Sequence, residues 1–392
     1  MKTISLLFGS ILALAPIETT LFAKAQTLPT DYAQKIKPTT IKVLLQDKAD
    51  SLLLEVNGSY KVFCPHTNVL IFSSSSAKRA TITPKEQGLF WKETLPGTYG
   101  IRIVPSDKNT TIFVNGIQYK GCLEVYDVGN SLRAINEVDV ENYLRSCLTA
   151  EIGKITEPEL LNALAIVART NAYNLVQKQH QAAWHVTAAE SGYTGAALTM
   201  QNLPLEKAIS DTRHAILTFE GKAFPASWTE NSAGKTASFS SIFKENAPAP
   251  KGVILAGMES ERAKSSWSFQ VTKAELAKIA NLPAASQISI FTEKESGKVY
   301  AMKIENESKA KVLDFFALQN ELGKSRLKSN DFTIEVSEQT VRFKGYGEGN
   351  GVGLCLHTAA LMAKQGVDAK KILSEFFNGT ELEKLRSVKE TP

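Results

Sequence analysis

The hydrophobic period of this chain changes once, and that change constrains the fold more than any other feature. From Ile41 onward, short β-branched and aromatic runs ("IKVLLQ", "SLLLEV", "YKVFC", "VLIFSS", "YGIRIVP", "TIFVNGIQYKG", "CLEVYDV") are broken by Gly, Asn, Asp and Pro. Strands and turns are written this way. In "AINEVDVENYLRSCLTAEIG" the period lengthens. Val140, Leu144 and Leu148 recur every four residues with Tyr143 and Cys147 beside them, which predicts a helix ending near Gly153. A second helix follows, for Thr156 with Glu159 three residues on reads as a capping box, and Pro158 falls in the first turn. Along it, Leu160, Leu164, Val167 and Leu175 form an apolar stripe, and Leu161, Ala165, Ala168 and Ala172 a small-residue face. Next come "AILTFEGKAFPASW", read as a hairpin about Glu220-Gly221, and the polar loop "TENSAGKTASF". Residues 331–346 alternate as strands, and "GYGEGNGVGL" opens into a last helix, "HTAALMAKQGV". With no internal repeat, this order of elements predicts a mixed α+β fold around a central helical hairpin.

At 392 residues the chain can bury a full core and form two or more lobes. Its formal charge of +5 is dispersed, with no cluster of Lys and Arg among aromatics. Such a surplus gives no case for nucleic acid and only a mild bias toward a polyanionic polymer. Lys2, the apolar run from Ile4 to Pro16, and Ala23-Lys24-Ala25 before Gln26 have the layout of a secretory signal peptide, so the chain is expected to be exported. The apolar run is short for a membrane span, and an uncleaved anchor is the alternative reading. The expected organisation is a signal peptide over 1–25, a linker over 26–38, a strand-rich part over 39–130 and a core over 131–392. The four cysteines form no C-x-x-C pair, and none of the five histidines has a partner at metal spacing. No metal and no cofactor are therefore expected, and the cysteines read as buried small hydrophobes.

Glu151 follows the apolar run Cys147, Leu148, Thr149, Ala150 and precedes Ile152-Gly153. A carboxylate with apolar neighbours tends to have its pKa raised, which suits a general acid or base. A solvated glutamate at a helix end is the plainer reading, and the residue by itself favours that one. Arg169 can bind an anionic group through its planar fork or serve in a structural salt bridge. The loop from Asn231 to Thr236 resembles part of a phosphate loop but lacks its full motif, so a nucleotide reading fails. A tight loop offering N–H groups and hydroxyls to a polar ligand remains. The glycines at 345, 347, 349, 351 and 353 permit close backbone approach and fit no dinucleotide fingerprint.

Taken in order, "INEVDVENYLRSCLTAEIG", "ALAIVARTNAY", "AILTFEGKAFPASWTENSAGKT", "LKSNDFTIE" and "GYGEGNGVGLCLHTAALMAKQGV" resemble the stage II sporulation protein D family. The resemblance implies a lytic transglycosylase that cleaves peptidoglycan glycan strands stripped of stem peptides. By it the catalytic glutamate maps onto Glu151 and the family's arginine onto Arg169. The small loop maps onto Ser232, Ala233, Gly234, Lys235 and Thr236; with Asn350 and Gly351, these are candidates for holding sugar groups. Asn350 stands where the family usually has His, and Ala233 where it has a second glycine. Zinc-binding relatives carry Cys and His in the region matching "HVTAAESGYTG"; here His185 is alone, and no zinc is expected. The altered glycine stretch also suits a second class: a wall-binding protein without activity, partnering a cell-wall amidase or a division or envelope complex.

Overall fold

The computed structural model describes residues 40–152, 155–196 and 203–385, without the side chains of Ala150 and Glu151. The expected signal peptide and linker lie outside the described residues. The fold is α+β. The chain divides into two compact units, Met1–Lys154 with Leu175–His214 and Leu385–Pro392, and Ile155–Asn174 with Ala215–Lys384.

Two sheets build the first unit. One runs in the order Val186–Thr187, Thr40–Ala49, Leu132–Asp139, Cys122–Asp127, Gly100–Pro105, Tyr60–Phe63, Leu70–Ser74. The other runs Ile117–Tyr119, Thr111–Val114, Leu52–Asn57, Lys78–Thr83, Phe90–Trp91, Glu93–Thr94. Alternation explains the strands: Leu52, Leu54 and Val56 are buried while Leu53, Glu55 and Asn57 between them are half-buried. Asn115 and Gly116, both at positive φ, turn Thr111–Val114 into Ile117–Tyr119, the favoured two-residue hairpin. The runs at 78–83 and 90–94 are strands additional to those read from the sequence.

The period change falls later than the sequence reading placed it. Leu132–Asp139 is still strand, paired antiparallel to Thr40–Ala49 on one side and Cys122–Asp127 on the other. The helix Val140–Glu151 begins where Asp139 accepts a hydrogen bond from the Glu141 N–H at 2.9 Å. That aspartate cap fixes the junction.

In the second unit, the long helix Pro158–Lys178 holds one element (its residues from Leu175 on belong to the first unit). Every residue from Ala163 to Tyr173 is buried, as are Leu160 and Leu161, so the small-residue face is covered and so is the expected stripe except for the half-buried Leu175. The expected capping box is absent. Thr156 N–H donates to Glu157 at 3.2 Å, while the Glu159 carboxylate accepts from Ala369 N–H at 2.8 Å, the start of the helix Ala369–Phe376. A carboxylate spent on another helix's free N–H cannot also reach back to its own. The turn at Glu220-Gly221 exists, with mutual bonds between Phe219 and Lys222 of 2.8 and 3.1 Å. Its strand Ala215–Phe219 nevertheless pairs with Thr380–Lys384, near the far end of the chain. Two three-stranded sheets, Ser266–Thr272, Thr340–Tyr346, Phe332–Val336 and Gln287–Thr292, Val299–Glu305, Ala310–Asp314, share a core containing Trp267, Phe315, Phe332 and Phe343. Among the described residues no helix is long and apolar enough to cross a membrane.

Candidate active site

Glu151 is the last residue of its helix, in the first unit. The helix is held along its length: the Tyr143 ring stacks on Tyr193 at 5.8 Å, Ser146 Oγ accepts from Thr194 N–H at 2.9 Å, and Arg145 pairs with Glu206 at 2.6 Å. Its end is closed by Ile152 N–H donating to the Leu148 carbonyl at 3.0 Å, with both of those residues buried. The last turn carries no basic residue.

Arg169 and the two loops belong to the second unit. Arg169 is fully buried; it donates to the Ala165 carbonyl of its own helix at 3.5 Å and to the Ala215 carbonyl at 3.0 Å, the second bond tying the helix to the strand Ala215–Phe219. The structure brings Ser232, Gly234, Lys235, Thr236, Asn350 and Gly351 into one cluster. Asn231 and Glu348 exchange backbone bonds of 2.9 Å, and Ala237 N–H donates to the Gly351 carbonyl at 2.9 Å. Within it, Thr236 Oγ accepts from Val253 N–H at 2.9 Å, and the Asn350 side chain accepts from Val352 N–H at 2.9 Å. Ser232 is fully buried, its hydroxyl without a partner. Lys235 and Asn350 keep partial exposure, while Ser232, Gly234, Thr236 and Gly351 face inward. Gly351 is required by this packing: at φ +67°, a Cβ there would sit 2.6 Å from Asn330 Oδ1 and 2.7 Å from Lys298 Cδ.

Beneath the loops lies a charge cluster that no sequence motif announced. Lys298, whose side chain is 1% exposed, donates to the Ser232 carbonyl at 2.8 Å and to Asp331 at 3.1 Å. Arg262 grips Asp331 with two bonds of 2.6 and 2.9 Å, reaches the Ala233 carbonyl at 3.2 Å, and lies 4.1 Å over the Tyr346 ring. Burial alone would raise the Asp331 pKa, but the Arg262 bond and the Lys298 and Arg262 charges outweigh it and hold the carboxyl below its ordinary value. Burial lowers the Lys298 pKa, with Asp331 offsetting part of the effect. The partners lie 33 and 69 positions apart, so no local pattern in the sequence joins them.

Ala233, standing at the family's second glycine, has a left-handed φ of +52°. A residue with a Cβ there carries a penalty of about 1 kcal/mol that glycine avoids. Ala233→Gly is accordingly expected to stabilise the fold by roughly 0.5–1 kcal/mol in urea unfolding; a loss of stability would refute the account.

His185, from the segment matching the family's zinc region, is bound to the first strand instead. Its Nδ1 accepts from Lys42 N–H at 2.9 Å, and its backbone N–H donates to the Lys42 carbonyl. Burial first, and the Lys42 charge second, hold its pKa below the ordinary value. Protons are therefore taken up first by the unfolded chain, so stability is full above about pH 6.5 and falls as pH drops below that value. Wild-type protein is expected to lose melting temperature between pH 7 and pH 5, and His185→Gln, whose amide oxygen keeps the acceptor, to lose less. Equal pH profiles would exclude His185 as the cause. Among the described residues no group of three or more His, Cys, Asp or Glu side chains is placed to hold a metal.

A family model described as SpoIID, a stage II sporulation protein, matches residues 128–219. The chain is similar to an uncharacterised protein of Chlamydia pneumoniae, 34% identical over 179 residues, 45% of this chain and 65% of that one. An uncharacterised protein of Brachyspira hyodysenteriae is 27% identical over 350 residues, covering 87% of this chain and 92% of its own length. The stage II sporulation protein D of Bacillus subtilis is 22% identical over 276 residues, 66% of this chain and 78% of that protein. The chain thus spans just under two thirds of the Chlamydia pneumoniae relative.

Proposed function

We propose that this protein is an exported lytic transglycosylase acting on peptidoglycan glycan strands, with Glu151 as its single acid and base. One observation carries the reading: a glutamate closes a helix with no basic residue in its last turn, within the stretch that matches the family model, and the resemblance maps the catalytic glutamate onto it. The carboxyl end of a helix disfavours an anion, as the first step of the reaction requires. Protonation of the glycosidic oxygen between MurNAc and GlcNAc breaks the bond. The carboxylate left behind then takes the proton of the sugar's own 6-hydroxyl, and that oxygen closes a 1,6-anhydro ring. No water enters, so one carboxylate serves where hydrolytic glycosidases use two. Incubation of the purified protein with peptide-free glycan strands is expected to release anhydro-muropeptide sugars detectable by mass spectrometry. Binding of the wall without any such product would overturn the reading.

A second reading is favoured by Asn350. Its side chain is spent on Val352 N–H and its carbonyl accepts from Asn330 at 2.7 Å, where family members offer a histidine. A protein that binds the wall and assists an amidase or an envelope complex would tolerate that exchange.

A further inference from the structure

A cavity of about 580 Å³ lies wholly within the first unit, beside the seven-stranded sheet. That volume is in the range of small-ligand sites. Its walls include Tyr99, Tyr126 and His66, and both tyrosine hydroxyls are committed away from it. Tyr126 donates to the buried Glu124 at 2.9 Å and Tyr99 to the Glu86 carbonyl at 3.1 Å. What the rings contribute is therefore flat apolar surface. Gly100 opposite Tyr126 makes room for one ring, since a Cβ there would stand 3.0 Å from Tyr126 Cδ1. His66 and Tyr126 lie with ring centroids 5.8 Å apart. Tyr99 is half exposed at 50% and Val128 at 43%, so apolar surface stands open to solvent at residues lining the cavity.

The charged groups in the cavity are held in place. Arg133 pairs with Asp47 at 2.9 Å and lies 4.7 Å over the Trp184 ring, and Asp127 accepts from Asn130 N–H at 3.0 Å. A ligand with apolar faces and polar edges meets both kinds of surface there. Sugar rings have that character: their C–H faces pack on aromatic rings and their hydroxyls and amides bond fixed charged groups. We propose that this cavity is a saccharide-binding site, a second hold on the glycan for which N-acetylated sugars are the chemical class. The choice of that class rests on the proposed function.

Cys64 lines the cavity and supplies the reporter. The Thr67 hydroxyl, then the backbone N–H groups of Thr67 and His66, hold its thiol below the ordinary pKa, whereas burial pushes the Cys122 thiol up and Cys147 and Cys355 are buried. Iodoacetamide is therefore expected to alkylate Cys64 first, since the thiolate is the nucleophile. The test treats the full chain with and without the β-1,4-linked tetramer of N-acetylglucosamine and follows Cys64 by mass spectrometry. Saturating tetramer is expected to slow alkylation several-fold. Tyr99→Ala, and Ala183→Trp at an exposed lining position, are each expected to weaken the tetramer about tenfold by calorimetry, about 1.4 kcal/mol. Unchanged affinity in both variants, an absence of protection, or protection by a stem peptide in place of the sugar would overturn the proposal. Protection without anhydro product leaves this site standing and removes the proposed activity; product without protection does the reverse.

Discussion

Asp331→Ala is expected to cost about 3–5 kcal/mol of stability, because it leaves a charge buried without its counter-charge. Lys298 would keep the Ser232 carbonyl as a neutral acceptor, and Arg262 would lose both of its bonds to the carboxylate. Since those two cations hold the carbonyls of Ser232 and Ala233, the small loop is expected to loosen together with the glycine stretch bonded to it. A domain of this size should lose roughly 6–20 °C of melting temperature. Asp331→Asn, which keeps the shape without the charge, should fall between the variant and wild type. Replacing Asp331 by Leu and Lys298 by Met together should recover part of the loss, since the buried ammonium goes with its counter-charge while Arg262 still lacks its carboxylate. The pH dependence has a defined sign. Asp331 has a depressed folded pKa, so its contribution is present above the unfolded carboxyl value near 3.9 and is lost as pH falls through the folded one. That window lies below the one set by His185, so acid titration of wild type should show two separable losses. A single-variant loss under about 1 kcal/mol would mean that the cluster does not hold the loops.

This cluster also marks where reading the sequence stopped working. Strands with plain alternation, such as Leu52–Asn57 and Thr340–Tyr346, were legible because burial on one face is written into every second residue. The helix ending at Glu151 was legible from its apolar spacing, but its start was not. Leu132, Ala134 and Val138 alternate within a strand paired on both sides, and only the Asp139 cap announces the change. Thr156 and Glu159 had the right spacing for a capping box, yet Glu159 found a partner more than 200 residues away at Ala369. Long-range polar choices of that kind have no local signature. For the same reason the loop residues 232, 234 and 236 were legible as a loop, while their inward orientation was not. It follows from Lys298 and Arg262 taking the carbonyls and from Val253 taking the Thr236 hydroxyl.

Glu151→Gln is expected to abolish anhydro-sugar formation, with turnover down by about a thousandfold or more, while leaving the fold and glycan binding in place. The size follows from the proposed chemistry. A general acid or base contributes on the order of 10²–10⁴ in rate, and here one carboxyl performs both proton transfers. Glutamine keeps the shape and polarity of glutamate but has no proton to give the glycosidic oxygen and no basic oxygen to take the 6-hydroxyl proton. Glu151→Asp tests position separately from chemistry. It retains the acid on a side chain shorter by one methylene, and a displacement of about 1 Å typically costs on the order of a hundredfold, so it should fall between the wild type and the amide. The helix should tolerate all three residues, because its cap at Asp139 and its packing through Tyr143, Leu144 and Leu148 lie away from position 151. Equal melting temperatures with activity in the order Glu, Asp, Gln would tie the reaction to this carboxyl. Equal activity in all three would move the chemistry elsewhere, and pelleting with the wall alongside no product from any of them would leave a binding protein on the family's fold.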